Sequence, residues 1–170
     1  MDYKRDVLKL SNRMRLLHMD KKSIIVQAKY GPSNPTSLPL EINSDLSCFT
    51  AAVIGDGHLR KNIFITTIES SDINLLNAFS SMINELFQVN TNIKEVKKRE
   101  GKKQTYHLSI YSKAIQELLS LIFEIPRGKK SDIVKVPVHI FISEDEIKQA
   151  FIIGLLAAEG SRKGDKMVRI

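Results

Sequence analysis

Apolar residues recur along the chain at intervals that switch between three or four and two, and the switches mark out the elements. Val7, Leu10, Met14 and Leu17 are spaced by three and four among charged residues, so residues 2–19 predict one amphipathic helix. The run Tyr30-Gly31-Pro32-Ser33-Asn34-Pro35-Thr36-Ser37 breaks regular structure and reads as a linker. Asn43 and Ser44 are N-cap candidates for a helix to about Ile54, stopped by Gly55-Asp56-Gly57. A short extended pair is expected around Lys61-Asn62, with Ile63 to Ile68 as its second strand. Ser70 or Ser71 would cap a helix over about 72–87, with Ile73, Leu76, Phe79, Ile83 and Leu86 on one face. Strands over about 92–99 and 104–111 join across Glu100-Gly101. In the second, Tyr106, Leu108 and Ile110 point one way, and Thr105, His107, Ser109 and Tyr111 the other. A helix over about 113–124 ends before Pro126. Ser143 and Glu146 have capping-box spacing and open a helix to about Ala158, after which Met167 to Ile170 look extended.

Two of these helices repeat one another. Phe49-Thr50-Ala51-Ala52-Val53-Ile54-Gly55-Asp56-Gly57 and Ile152-Ile153-Gly154-Leu155-Leu156-Ala157-Ala158-Glu159-Gly160 are both apolar, rich in small residues, and closed by an acid and a glycine. Ile63 to Ile65 aligns with Val168 to Ile170 after them. Small side chains allow two helix backbones to approach directly. An acid in a last helical turn faces the negative end of the helix dipole, at a cost of about 0.3–1 kcal/mol. Two such acids side by side also repel, and a divalent cation between them relieves both penalties. The bland alternative is a pair of core helices that share an acid-glycine stop.

Composition narrows the class. Apolar residues make up 42% and charged residues 26%, as in ordinary globular domains, and 170 residues suffice for one medium core. No apolar run is long enough for a membrane span, and the N-terminus has no signal-peptide core. One cysteine, Cys48, excludes an intramolecular disulfide and a cysteine-rich zinc site, so a reduced setting is expected, cytoplasmic or an organellar matrix. The net charge of +7 suits a polyanion, or simply solubility. Much of it lies between residues 94 and 103, where Lys94, Lys97, Lys98, Arg99, Lys102 and Lys103 outnumber Glu95 and Glu100. As a twisted hairpin this ribbon fits the major groove, its lysines on phosphates and Gln104, Thr105, His107, Ser109 and Tyr111 towards base edges. Arg60 and Lys61 join the DNA-binding candidates. Arg127, Lys129, Lys130 and Lys135 form a second basic patch that is either a backbone contact or a solvated loop.

The repeat resembles the LAGLIDADG homing endonucleases. IIGLLAAEG is similar to their motif, FTAAVIGDG is a looser version, and the order helix, two strands, helix, two strands, helix resembles one family half-domain. The segments Ile125-Pro126-Arg127-Gly128-Lys129-Lys130 and Val136-Pro137 resemble the lead into a second motif, so the likeness spans about residues 38–170. It implies an α+β fold: an αββαββα half-saddle with an antiparallel curved sheet, plus the second motif helix and a truncated second repeat. The expected boundaries are 1–37 for an N-terminal helical extension and linker, 38–142 for the first half-domain, and 143–170 for the second motif helix. The implied function is site-specific cleavage of double-stranded DNA, of the kind linked to intron or intein mobility. Asp56 and Glu159 would be the catalytic ligands of Mg²⁺ or Mn²⁺, with Arg162 a candidate basic active-site residue. A second chain could supply the missing half. Neither end shows an intein splicing pattern. A non-cleaving nucleic-acid binder on the same scaffold, maturase-like or regulatory, is the alternative.

Overall fold

The fold is that of a computed structural model, which describes residues 2–30, 33–96, 104–129 and 134–159. The chain begins with helix α1 (Tyr3–Ser11), capped by the Asp2 carboxylate on the Arg5 N–H. The helix expected over residues 2–19 stops at Ser11 instead, and Arg15–Met19 is a strand, β1. It pairs antiparallel with β2 (Ser23–Gln27), which pairs antiparallel with β3 (Thr36–Pro39). The N-terminal region is thus an α-helix and a three-stranded sheet, where a helical extension and linker were expected. The physical reason lies in the turn: Asp20 accepts from the Lys22 and Ser23 N–H groups at 2.7 Å each, closing the hairpin and holding its own carboxyl below the usual range. The β-branched run Ile24-Ile25-Val26 then outweighs the helical spacing of Met14 and Leu17.

The second unit follows the expected order. Helix α2 (Ser44–Gly55) is capped by Asn43, whose side chain accepts from the Leu46 N–H. Strands β4 (Gly57–Leu59) and β5 (Ile65–Ser70) lead to α3 (Ile73–Phe87), capped by Asp72 rather than by either serine before it. Strands β6 (Thr91–Glu95) and β7 (Tyr106–Tyr111) then lead to α4 (Lys113–Glu117), which runs on as a π-helical turn, Leu118–Ile122. The four strands form one antiparallel sheet in the order β4-β5-β7-β6. This is the αββαββα order on one antiparallel sheet, in an α+β fold, that the resemblance implied. A single turn α5 (Val138–Phe141) precedes α6 (Asp145–Glu159).

The core lies between the helices and one face of this sheet: Ile68, Leu108 and Ile110 from the strands meet Leu76, Phe79 and Ile83 of α3 and Phe49 of α2. Each fully buried side chain of this size contributes roughly 1.5–3 kcal/mol. The N-terminal unit is pinned to the core by Tyr3, which stacks on Phe123 and donates to the Pro39 carbonyl at 3.1 Å; burial pushes its phenol well above the usual range. Beside it, nearly buried His139 meets Asp6 at 3.4 Å. The capping box expected at Ser143 and Glu146 does not form. Ser143 donates to the His139 carbonyl, and Glu146 accepts from Ser44 of α2.

Candidate nucleic-acid interface

The two repeat helices pack on each other, with the most extensive contact between any two helices among the described residues. At their N-terminal ends Ser44 Oγ donates to Glu146 Oε1 at 3.2 Å, and Ser47 Oγ donates to the Ile147 carbonyl at 2.7 Å. Further along, Gly154 lies against the Cys48 backbone so closely that a Cβ built on it would fall 2.9 Å from Cys48 Cα and C, and nearer still to the carbonyl oxygen. Contacts in this order mean that the helices run in the same direction. Their last turns therefore lie at the same end of the pair. Asp56 ends α2 as its C-cap, with its N–H on the Ala52 carbonyl and its carbonyl accepting from the Glu69 N–H of β5 at 3.2 Å. Glu159 is the last residue of α6, and its side chain lies outside the description. Cys48, half-buried at this seam and close to Asp45, has its thiol pushed up mainly by burial and secondarily by that carboxylate.

The repeat positions differ in their surroundings. Phe49, Thr50 and Val53 are completely buried under α3 and the sheet, whereas their counterparts Ile152, Ile153 and Leu156 are 55%, 63% and 52% exposed. One motif helix has a sheet to pack on. The outward face of the other is bare among the described residues.

The sheet face turned away from the helices carries polar side chains. Alternation along β7 puts His107, Ser109 and Tyr111 there, and the register adds Lys94 and Asn92 from β6 and Thr67, Glu69 and Ile65 from β5. His58 continues the row through Thr67. Of the residues expected to contact DNA, Lys94, His107, Ser109 and Tyr111 thus share one face. His107 is paired with Glu69, its Nε2 lying 2.9 Å from Oε2. Gln104 donates to the Val96 carbonyl at 2.6 Å and the Thr105 carbonyl at 3.0 Å, so its amide is committed to holding the two strands together. Arg60 and Lys61 are exposed on the turn between β4 and β5. Lys97, Lys98, Arg99, Lys102, Lys103 and Arg162 lie outside the described residues. Thr67, Asn92 and Glu69 were missed by sequence reasoning, although period-two alternation along β5 and β6 would have found them.

That β4–β5 turn is held from beneath. Completely buried Gln116 on α4 directs its amide nitrogen to the carbonyls of Arg60, Ile63 and Ile65, each at 3.1 Å. Phe64 projects from the turn, with Lys113 Nζ 5.3 Å and Arg127 Cζ 5.6 Å from its ring centroid. Arg127 also donates to Ser120 at 3.2 Å and bridges to Leu59 on the free edge of β4, where the Gly128 N–H reaches the Leu59 carbonyl at 2.8 Å.

No helix among the described residues is long and apolar enough to cross a membrane, and no group of three or more metal-ligating side chains occurs among them. In comparison with known proteins, the chain is 34% identical over 140 residues to an A-type ATP synthase subunit from Pyrococcus abyssi (strain GE5 / Orsay), a match covering 82% of this chain and 13% of that protein. The chain thus spans only about an eighth of this relative's length. A solved structure described as "Structures and dynamics of mesophilic variants from the homing endonuclease I-DmoI" aligns over 69% of this chain and 59% of its own, at 24% identity and a TM-score of 0.44. Residues 47–122 match the family described as "LAGLIDADG-like domain", which takes in most of α2, the whole four-stranded sheet, α3, α4 and the π-helical turn. The chain therefore carries a LAGLIDADG-like domain.

Proposed function

We propose that the chain binds double-stranded DNA across the polar face of its four-stranded sheet, and that Asp56 and Glu159 hold a divalent cation for phosphodiester hydrolysis. One observation carries this reading: two similar helices, each ending in an acid, run side by side in the same direction and finish at the same end. Two carboxylates at adjoining helix C-termini make a locally anionic spot built of hard oxygen donors, the chemistry that suits Mg²⁺ or Mn²⁺. Bound there beside a phosphate, such a cation would lower the pKa of a water and stabilise charge on the leaving oxygen. The chain's own part is to fix the two acids through the close seam at Gly154, and to lay the duplex over Lys94, Ser109 and Tyr111.

The bare stripe of Ile152, Ile153 and Leu156 supports a second αββαββα unit seated on α6, supplied by a second chain or by further sequence. Binding without cleavage is the second reading. The deciding experiment is incubation of supercoiled duplex with Mg²⁺. Nicking that disappears in Asp56→Asn and in Glu159→Gln is the expected result; salt-sensitive binding with no nicking under any metal would leave the second reading.

A further inference from the structure

We propose that Phe64, Lys113 and Arg127 form a preorganised seat for a backbone phosphate of duplex DNA, at the margin of the sheet beyond its base-facing rows. This rests on the DNA-binding reading and adds a specific phosphate contact to it. Flexible surface cations lose rotamer freedom when they bind, but these two are already placed. Arg127 is fixed by the Phe64 ring, by Ser120 and by its backbone bridge to Leu59. Lys113 sits over the same ring and reaches Glu117 Oε1 only at 3.9 Å, the outer limit of an ion pair. The ring itself is held out by the turn that buried Gln116 secures through three carbonyls, and remains 42% exposed. Two cations at one ring outnumber the one carboxylate, Glu117, that lies within ion-pair reach of Lys113, and an anion placed beside them offsets the excess. The fork of a guanidinium and the point charge of an ammonium suit a tetrahedral phosphate.

The position favours a duplex over an isolated anion. Exposed Arg60 and Lys61 lie on the same turn, and Tyr111, at the end of β7 opposite Ile65, leads directly into α4 and Lys113. The seat therefore adjoins, through Tyr111 and the β4–β5 turn, the strand ends that carry the outer row of the sheet.

The test is the salt dependence of binding by the full chain to a fluorescent duplex, read by anisotropy over a series of KCl concentrations. One phosphate contact contributes about 0.9 to the slope of log K against log salt. Arg127→Gln should lower the slope by about that amount, whereas Arg127→Lys should retain most of it. Lys4→Gln, an equal charge change at an exposed position of α1, should leave it unchanged. Phe64→Leu keeps both charges and should weaken binding roughly two- to fivefold through loss of the ring that places them. Equal slopes for wild type, Arg127→Gln and Lys4→Gln would overturn the seat while leaving DNA binding intact. So would an Arg127→Lys variant as defective as Arg127→Gln. A wild-type chain that binds no duplex at any salt would instead bring down the underlying DNA-binding reading.

Discussion

Gly154 offers the sharpest test of the helix seam, because two effects of opposite sign meet there. In an exposed helix, replacing glycine by alanine stabilises by about 0.8–1 kcal/mol, since alanine loses less backbone freedom. At Gly154 the new methyl would lie 2.9 Å from Cys48 Cα and C, where ordinary contact begins at 3.4 Å, and closer again to the carbonyl oxygen. All three atoms belong to the backbone of α2 and cannot swing aside. The helices must part by about half an ångström or more, a gap that forfeits roughly a quarter to a half of each affected dispersion contact. The 2.7 Å bond from Ser47 to the Ile147 carbonyl lengthens with them. Overpacking of this kind costs about 1–3 kcal/mol, so Gly154→Ala should be net destabilising by about 1 kcal/mol, and Gly154→Val by more than about 3 kcal/mol. Urea denaturation followed by circular dichroism, at constant slope, reads both. Ile153→Ala on the exposed side of the same helix should stay within about 0.5 kcal/mol of wild type. Stabilisation by Gly154→Ala would mean that only helix propensity is at work, and the close seam would be refuted.

Further outcomes follow from the same geometry. Phe49→Ala should cost about 3–5 kcal/mol, while its repeat counterpart Ile152→Ala should change stability by less than about 0.5 kcal/mol in the isolated chain, both read by chemical denaturation. Gln116→Leu should cost about 1–3 kcal/mol by removing the side-chain donor that three carbonyls share, two of which keep a backbone N–H, and should speed hydrogen exchange first in the 60–65 turn. Cys48 should react with a thiol reagent far more slowly in the folded chain than in urea. Its raised thiol pKa also sets a pH trend: above the ordinary thiol value the unfolded chain ionises first, so stability should fall as pH rises and Cys48→Ser should flatten that fall.

Local signals stated α2 and α3 clearly in the sequence, because a capping residue stands directly before each apolar run. For α3 the cap moved from the serines to Asp72, whose carboxylate reaches two N–H groups, those of Asn74 and Leu75. The N-terminal sheet was hidden because Met14 and Leu17 continue the helical spacing of Val7 and Leu10 by accident. Met14 is buried from a turn, and Leu17 faces solvent on a strand. The polar face of β7 was legible by alternation alone. Alternation along β5 and β6 offers Thr67 and Asn92 as outward-facing too, but only the register, which comes from pairing distant strands, sets them beside Ser109. The Phe64 cluster was illegible for a similar reason: Gln116 and Arg127 meet the turn only through tertiary folding. The repeated motif did foretell that α2 and α6 would pack, since small residues at matching positions are a physical requirement for close approach.

The π-helical turn at Leu118–Ile122 bears on everything after it. Such a turn accommodates one residue more than an α-helical one, and one residue corresponds to about 100° of rotation about the axis. Were the chain a single residue shorter here, winding could continue regularly, and the segment leaving Phe123 would depart in a different direction. Arg127 would then miss Leu59, and the guanidinium would leave the aromatic ring. Chain length at this one point, more than the identity of any side chain, keeps the tail of the helix in step with the free edge of β4.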